Sequence, residues 1–130
     1  MSESTRLLIA DDDAAIRDMI RHSVELECEI VGEAENGLEA VNAAERLRPD
    51  IVLLDISMPV MGGFAAARQL KQKMPSLRII FVSQHPDPSY IDEAFRAGAS
   101  GYVLKRSAVR DLTVAIERVR AGGTFRSAVK

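Results

Sequence analysis

A single cysteine, Cys28, leaves no partner for an internal disulfide and excludes a small cross-linked secreted scaffold. Long hydrophobic runs are also missing. The longest, Ile51-Val52-Leu53-Leu54 and Ile79-Ile80-Phe81-Val82, fall far short of the ~18 apolar residues that cross a bilayer. Met1 to Thr5 are polar and carry no signal-peptide core, so the chain is expected to be cytoplasmic and to have no membrane partner. Nor is there an excess of one charge. Lys and Arg number 17 against 19 Asp and Glu, a net charge of −2, which argues against a protein that coats nucleic acid. No repeat, low-complexity tract or internal linker interrupts the 130 residues, a length that suits one domain.

What is present is an alternation. Short apolar runs occur at Leu7 to Ala10, more weakly at Cys28 to Val31, and then at Ile51 to Leu54, Ile79 to Val82 and Tyr102 to Leu104. Between them lie stretches with helical spacing, clearest in Leu38, Val41, Ala44, Leu47 and in Phe64, Ala67, Leu70, Met74. Val109, Leu112, Ile116 and Val119 predict a last helix, with Arg118 and Arg120 in its final turn and Gly122-Gly123 to stop it. Asn36-Gly37, Arg48-Pro49-Asp50 and Met74-Pro75-Ser76 punctuate the pattern as turns. Strands apolar throughout and alternating with helices are parallel and buried on both faces. The expected fold is α/β, five β/α units in a doubly wound open sandwich. Thr124 to Lys130 lack periodicity and read as a tail or the start of a linker, so the domain is expected to span residues 6–123.

In such a sheet, ligands bind outside the carboxyl ends of the strands. Here the first run ends in Asp11-Asp12-Asp13, the third in Asp55, the fourth in Ser83 and the fifth in Lys105. Crowded carboxylates repel unless a cation sits among them, and hard oxygen ligands suit Mg²⁺. A lone ammonium suits a phosphate oxygen, and a carboxylate can itself be a nucleophile. The residue types point to metal-assisted phosphoryl transfer to an aspartate without saying which one.

The motifs supply more. Leu8-Ile9-Ala10-Asp11-Asp12-Asp13 is followed by Arg17; Pro49 to Asp55 leads into Met58-Pro59 and Gly63; Ser83 ends the fourth run, and Gly98 to Lys105 closes the fifth. In this order and at these spacings they resemble the receiver domain of two-component response regulators. That resemblance implies a flavodoxin-like parallel sheet of order 2-1-3-4-5. It implies that Asp55 accepts a phosphoryl group from a sensor histidine kinase. It also implies that Asp11, Asp12, Asp55 and the backbone carbonyl of Ser57 hold Mg²⁺, and that Lys105 grips the phosphate. Ser83 and Tyr102 match the switch hydroxyl and switch aromatic. Such a domain is a signalling device, catalysing its own phosphorylation and dephosphorylation but not a turnover enzyme.

Two positions depart from the common receiver pattern. Arg106 follows Lys105 where many receivers have proline, and Met61-Gly62-Gly63 lacks the usual aspartate, which makes that loop more flexible. With the Ala121-Gly122-Gly123-Thr124-Phe125 ending, Arg106 resembles receivers joined to a LuxR-type helix-turn-helix. DNA is then expected to be bound by a domain beyond Lys130 and not by these residues, with pairing to a second copy on phosphorylation. A stand-alone receiver acting through protein contacts is the alternative.

Several of these residues also have simpler roles. Asp13 reads as a helix cap, Cys28 as a small buried apolar residue, and His22 and His85 as surface residues, His85 placed two after Ser83 where it could tune phosphate lifetime. A haloacid-dehalogenase-like phosphohydrolase shares the order Asp11-x-Asp13, Ser83, Lys105. It lacks the acidic pair expected after the lysine, has Ala15 where Thr or Val belongs, and leaves Asp55 idle. A flavodoxin-type cofactor binder needs a phosphate-cradling loop where this chain has three aspartates.

Overall fold

A computed structural model describes residues 4–128. Its elements alternate: β1 (Thr5–Ala10), α1 (Ala14–Val24), β2 (Cys28–Ala34), α2 (Gly37–Leu47), β3 (Ile51–Leu54), α3 (Gly63–Lys73), β4 (Arg78–Ser83), α4 (Pro88–Arg96), β5 (Gly101–Leu104), α5 (Ala108–Arg120) and β6 (Phe125–Arg126). All strand pairs are parallel, in the order β2-β1-β3-β4-β5-β6. The order 2-1-3-4-5 is therefore as expected, with one addition. Phe125 and Arg126, read as tail for want of periodicity, pair with Gly101 and Tyr102 as a sixth strand. Two residues are too few to show a period of two, which is why the strand escapes a pattern search.

Alternate strand residues feed two separate cores. Leu8, Ala10, Val52, Leu54, Ile79 and Phe81 pack under α2, α3 and α4. Leu7, Ile9, Ile51, Leu53, Ile80 and Val82 pack under α1 and α5. The period of two along each strand thus sends neighbours to opposite layers, and both layers are apolar. The two edge strands, β2 and β6, stay partly exposed, β2 in keeping with its weaker run; Cys28 at the start of β2 is half-buried. Among the described residues no helix is long and apolar enough to cross a membrane.

The helices follow the predicted spacing, with corrections at the margins. The buried stripe of α5 runs through Ala108, Leu112, Ala115, Ile116 and Val119, while Val109 falls beside it and is 74% exposed. In α2 the alanines carry the packing, and Leu38 is largely exposed. Asn36-Gly37 is less a turn than a helix start. The Asn36 side chain accepts from Glu39 N at 2.9 Å, and Gly37 is the first helical residue.

Glycine is required where α3 leaves the strand ends. A Cβ on Gly63 would lie 2.1 Å from the Asp55 carbonyl oxygen and 2.9 Å from Ile56 Cα. Gly63 N donates to Ile56 O at 2.8 Å, so the approach is fixed by a bond that closes the loop after β3. Gly63→Ala is expected to destabilise the domain by about 3 kcal/mol, read as a lower urea midpoint at unchanged slope. An unaltered midpoint would mean that the loop has no need of this close approach.

Candidate functional site

The C-terminal ends of β1, β3 and β5 deliver four charged residues to one rim. Asp11 follows β1 directly, and its N–H donates to Ala34 O of β2 at 3.0 Å. Its Oδ1 accepts from Asp13 N at 2.9 Å, folding the aspartates back into a tight turn, while Asp13 caps α1 by accepting from Ala15 N at 2.9 Å. Asp55 follows β3, its N–H donating to Ala10 O at 2.9 Å and its Oδ1 accepting from Ile56 N at 2.8 Å. Both carboxylates are nearly out of water, Asp11 at 1% and Asp55 at 7% exposure, whereas Asp12 is exposed.

Lys105, the residue after β5, reaches across to both. Its Nζ lies 3.0 Å from Asp11 Oδ2 and 3.4 Å from Asp55 Oδ2. Among the described residues, no hydrogen-bond donor other than the Lys105 ammonium reaches Asp11 Oδ2, a buried oxygen whose bonding is left incomplete. Asp11, Asp12 and Asp55 each offer a carboxylate oxygen within 4.8 Å of the others. An under-satisfied buried oxygen among three carboxylates and one ammonium is a donor set that fits a hard divalent cation. These residues line a crevice of about 210 Å³ together with Asp13, Ser57, Gln84 and His85. A larger hollow of about 290 Å³ lies around Asp50, Arg78 and Arg120 at the other end of the strands, with no such carboxylate cluster among the described residues.

The remaining expected residues sit behind the rim. Ser83 is fully buried, and its Oγ accepts from His85 N at 3.0 Å. Tyr102 is buried too, and its hydroxyl donates to His85 O at 2.7 Å. His85, read from sequence as a surface residue, lines the crevice, and its ring stacks on Tyr90 with centroids 4.2 Å apart. Both backbone polar groups of His85 are thus held, the N–H by Ser83 and the carbonyl by Tyr102. Arg17 also does more than the sequence revealed. It donates to the Asp11 carbonyl at 2.7 Å and pairs with Glu33 at 2.9 Å, fixing the backbone that carries Asp11. Helical spacing alone gave no sign that its guanidinium turns inward.

Residues 7–117 match the family described as response regulator receiver domain. The chain belongs to this family. A transcriptional regulatory protein DegU from Brevibacillus brevis is 35% identical over 122 residues, covering 92% of this chain and 52% of that protein. The chemotaxis protein CheY of Listeria monocytogenes is 42% identical over 101 residues, 77% of this chain and 85% of that one. A crystal structure of a LuxR-family two-component response regulator from Aurantimonas sp. SI85-9A1 superposes with a TM-score of 0.90 at 34% identity, covering 95% of this chain and 89% of that one. The receiver spans about half the length of DegU. Membership in this family displaces the phosphohydrolase and cofactor-binder readings, and Asp55, idle in the phosphohydrolase reading, stands beside Lys105.

Electrostatics in the receiver's crevice follow from burial. Burial, then the nearby negative charge of Asp11, pushes the Asp55 carboxyl above its ordinary 3.8, and Lys105 only partly offsets this. Burial pulls the Lys105 ammonium down, but the bonds and charges of Asp11 and Asp55 outweigh it and hold it above 10.5. Since the Asp55 carboxyl is harder to ionise in the folded chain, the folded state keeps a proton that the unfolded state has lost. Stability therefore falls as pH rises from 3.8 through the folded value. In EDTA, Asp55→Asn is expected to be more stable than wild type at pH 7, with the advantage vanishing below about pH 4. Chemical denaturation across that range checks it; an advantage independent of pH would assign the effect to packing.

Proposed function

We propose that this receiver takes a phosphoryl group onto Asp55 from the phosphohistidine of a sensor histidine kinase. The observation that carries this is the meeting of the Asp11, Asp12 and Asp55 carboxylates with Lys105 Nζ at the strand ends. Asp55 Oδ1 is occupied by the Ile56 N–H, which leaves Oδ2, beside Lys105, as the attacking oxygen. An O–P bond forms as the donor's N–P bond breaks, and the imidazole nitrogen leaves with the electron pair. Lys105 answers the negative charge on the transferred group. Asp11, Asp12, Asp55 and the Ser57 backbone carbonyl would hold Mg²⁺, which neutralises charge on the phosphoryl oxygens when bound.

The output reading rests on Ser83 and Tyr102. Both are bonded to the backbone of His85, so recruitment of the Ser83 hydroxyl by a phosphoryl oxygen frees the His85 N–H and loosens the neighbouring carbonyl that anchors Tyr102. The loop between β4 and α4 then shifts, altering the surface of α4, β5 and α5 as a change of population. By kinship with DegU the cytoplasmic product is a transcription regulator, controlled by phosphorylation through pairing of copies. DNA would be contacted by a helix-turn-helix unit and not by this receiver. A stand-alone receiver acting by protein contact, as the CheY kinship allows, is the second reading.

Acetyl phosphate with Mg²⁺ should add one base-labile phosphoryl group, seen by intact mass. Asp55→Asn or EDTA should abolish the gain, and Lys105→Ala should slow it by about 10²-fold. Normal labelling of Asp55→Asn would overturn the assignment. Metal binding has its own measure. At 100 times its Kd, Mg²⁺ should stabilise the domain by about 2.7 kcal/mol, a Tm rise of about 10 °C. Asp12→Ala should erase that rise without lowering the Tm in EDTA; a large loss in EDTA would make Asp12 a structural residue.

A further inference from the structure

The sixth strand ends in a small buried polar cluster that the phosphoryl-transfer reading leaves unused. Ser127 follows β6 directly and is 4% exposed; Asp111, in the first turns of α5, is 9% exposed. Ser127 N donates to Tyr102 O at 2.9 Å, continuing the pairing of β6 with β5. The next edge donor of β5 is Leu104 N, and it finds the Ser127 hydroxyl oxygen at 3.1 Å. The same hydroxyl then donates to Asp111 Oδ2 at 2.7 Å, and Asp111 Oδ1 accepts from Arg110 Nε at 3.1 Å. One hydroxyl therefore ties the last residue of β5 to the base of α5. Cation–π contacts hold the strand in place, Arg126 over Phe95 at 4.6 Å and Arg118 over Phe125 at 5.6 Å.

The residue after Leu104 is Lys105. The amide held by Ser127 joins Val103 to Leu104, one residue before the backbone from which Lys105 extends toward Asp11 and Asp55. Among the described residues, no other side chain bonds the Leu104 N–H. A carboxylate anchored on a helix and relayed through a hydroxyl is a stiff support, because each hydrogen-bonding group has a defined partner. We infer that Ser127 and Asp111 are positioning residues for phosphoryl transfer, holding the end of β5 so that Lys105 meets Asp55. The inference rests on the reading of Asp55 as acceptor and Lys105 as its phosphate partner. It makes the segment after Gly123 part of the receiver's working machinery and not a passive connection.

The test is a double-mutant cycle on the 130-residue chain, with Asp55 labelling by acetyl phosphate and Mg²⁺ as the rate. Ser127→Ala should slow labelling by about tenfold, since a small misplacement of Lys105 weakens its hold on the transferred group. In the Lys105→Ala background the same change should have no further effect, a result that general loss of stability does not produce. Ser127→Thr, which keeps the hydroxyl, should restore the rate, and Asp111→Asn should repeat the background dependence should Ser127→Ala fail to fold. Leu104 amide exchange, followed by NMR, should quicken in Ser127→Ala and not in Ser127→Thr. An equal slowing with and without Lys105, or no slowing at all, would overturn the positioning role while leaving Asp55 as acceptor. A wild-type chain that does not label would overturn the acceptor reading and the positioning role together.

Discussion

Two carboxylates, those of Asp11 and Asp55, lie almost out of water at adjacent strand ends, and the ammonium of Lys105 answers both. Bringing like charges together under partial desolvation costs free energy, and only fixed partners make it sustainable. Much of the surrounding structure can be read as that set of partners. Arg17 clamps the backbone of Asp11, Ile56 N–H takes one oxygen of Asp55, and the aspartate turn folds Asp13 away to cap α1. The fold thus stores an imbalance at one rim and keeps it from relaxing.

That imbalance needs a rigid platform, and the parallel sheet provides it. Strands buried on both faces have little freedom to shift, because alternate residues are locked into separate cores. The loop after β3, expected from Met61-Gly62-Gly63 to be more flexible, is instead tied by backbone bonds from Gly63 N to Ile56 O and from Gly37 N to Met61 O. Gly63 approaches the Asp55 carbonyl so closely that a side chain has no room, and Val60, a β-branched residue, takes a left-handed backbone at φ 68° in the same loop. Such strain beside the buried Asp55 persists only because the surrounding structure holds the loop in place.

Most of this was legible in the chain itself. Five apolar runs named the five core strands, and the residues just past their ends named the acidic rim and its lysine. Reading failed where the signal was not periodic or not local. β6 is two residues long, and Ser127 and Asp111 are polar groups whose meeting depends on the path of the chain after α5. His85 carries no motif, yet its backbone joins Ser83 to Tyr102. Val109 matched the helical spacing and still faces water, because the stripe that packs is centred on the smaller Ala108 and Ala115. Periodicity locates a face to within a residue or so; only packing decides its edge.

The five longer strands leave two edges, β2 and β5, and each alone would offer unpaired backbone groups to any extended chain that came near. They are blunted in different ways. β2 carries Glu29 and Glu33 along its length and is kinked where Val31 is skipped between the partners of Leu7 and Leu8. Charge and irregularity of this kind make a poor template for a foreign strand. β5, apolar and regular, has no such defence of its own, and β6 covers it. A chain cut short before Phe125 would bare the Gly101–Leu104 edge, with stickiness and self-association between sheets as the consequence, whatever became of its chemistry.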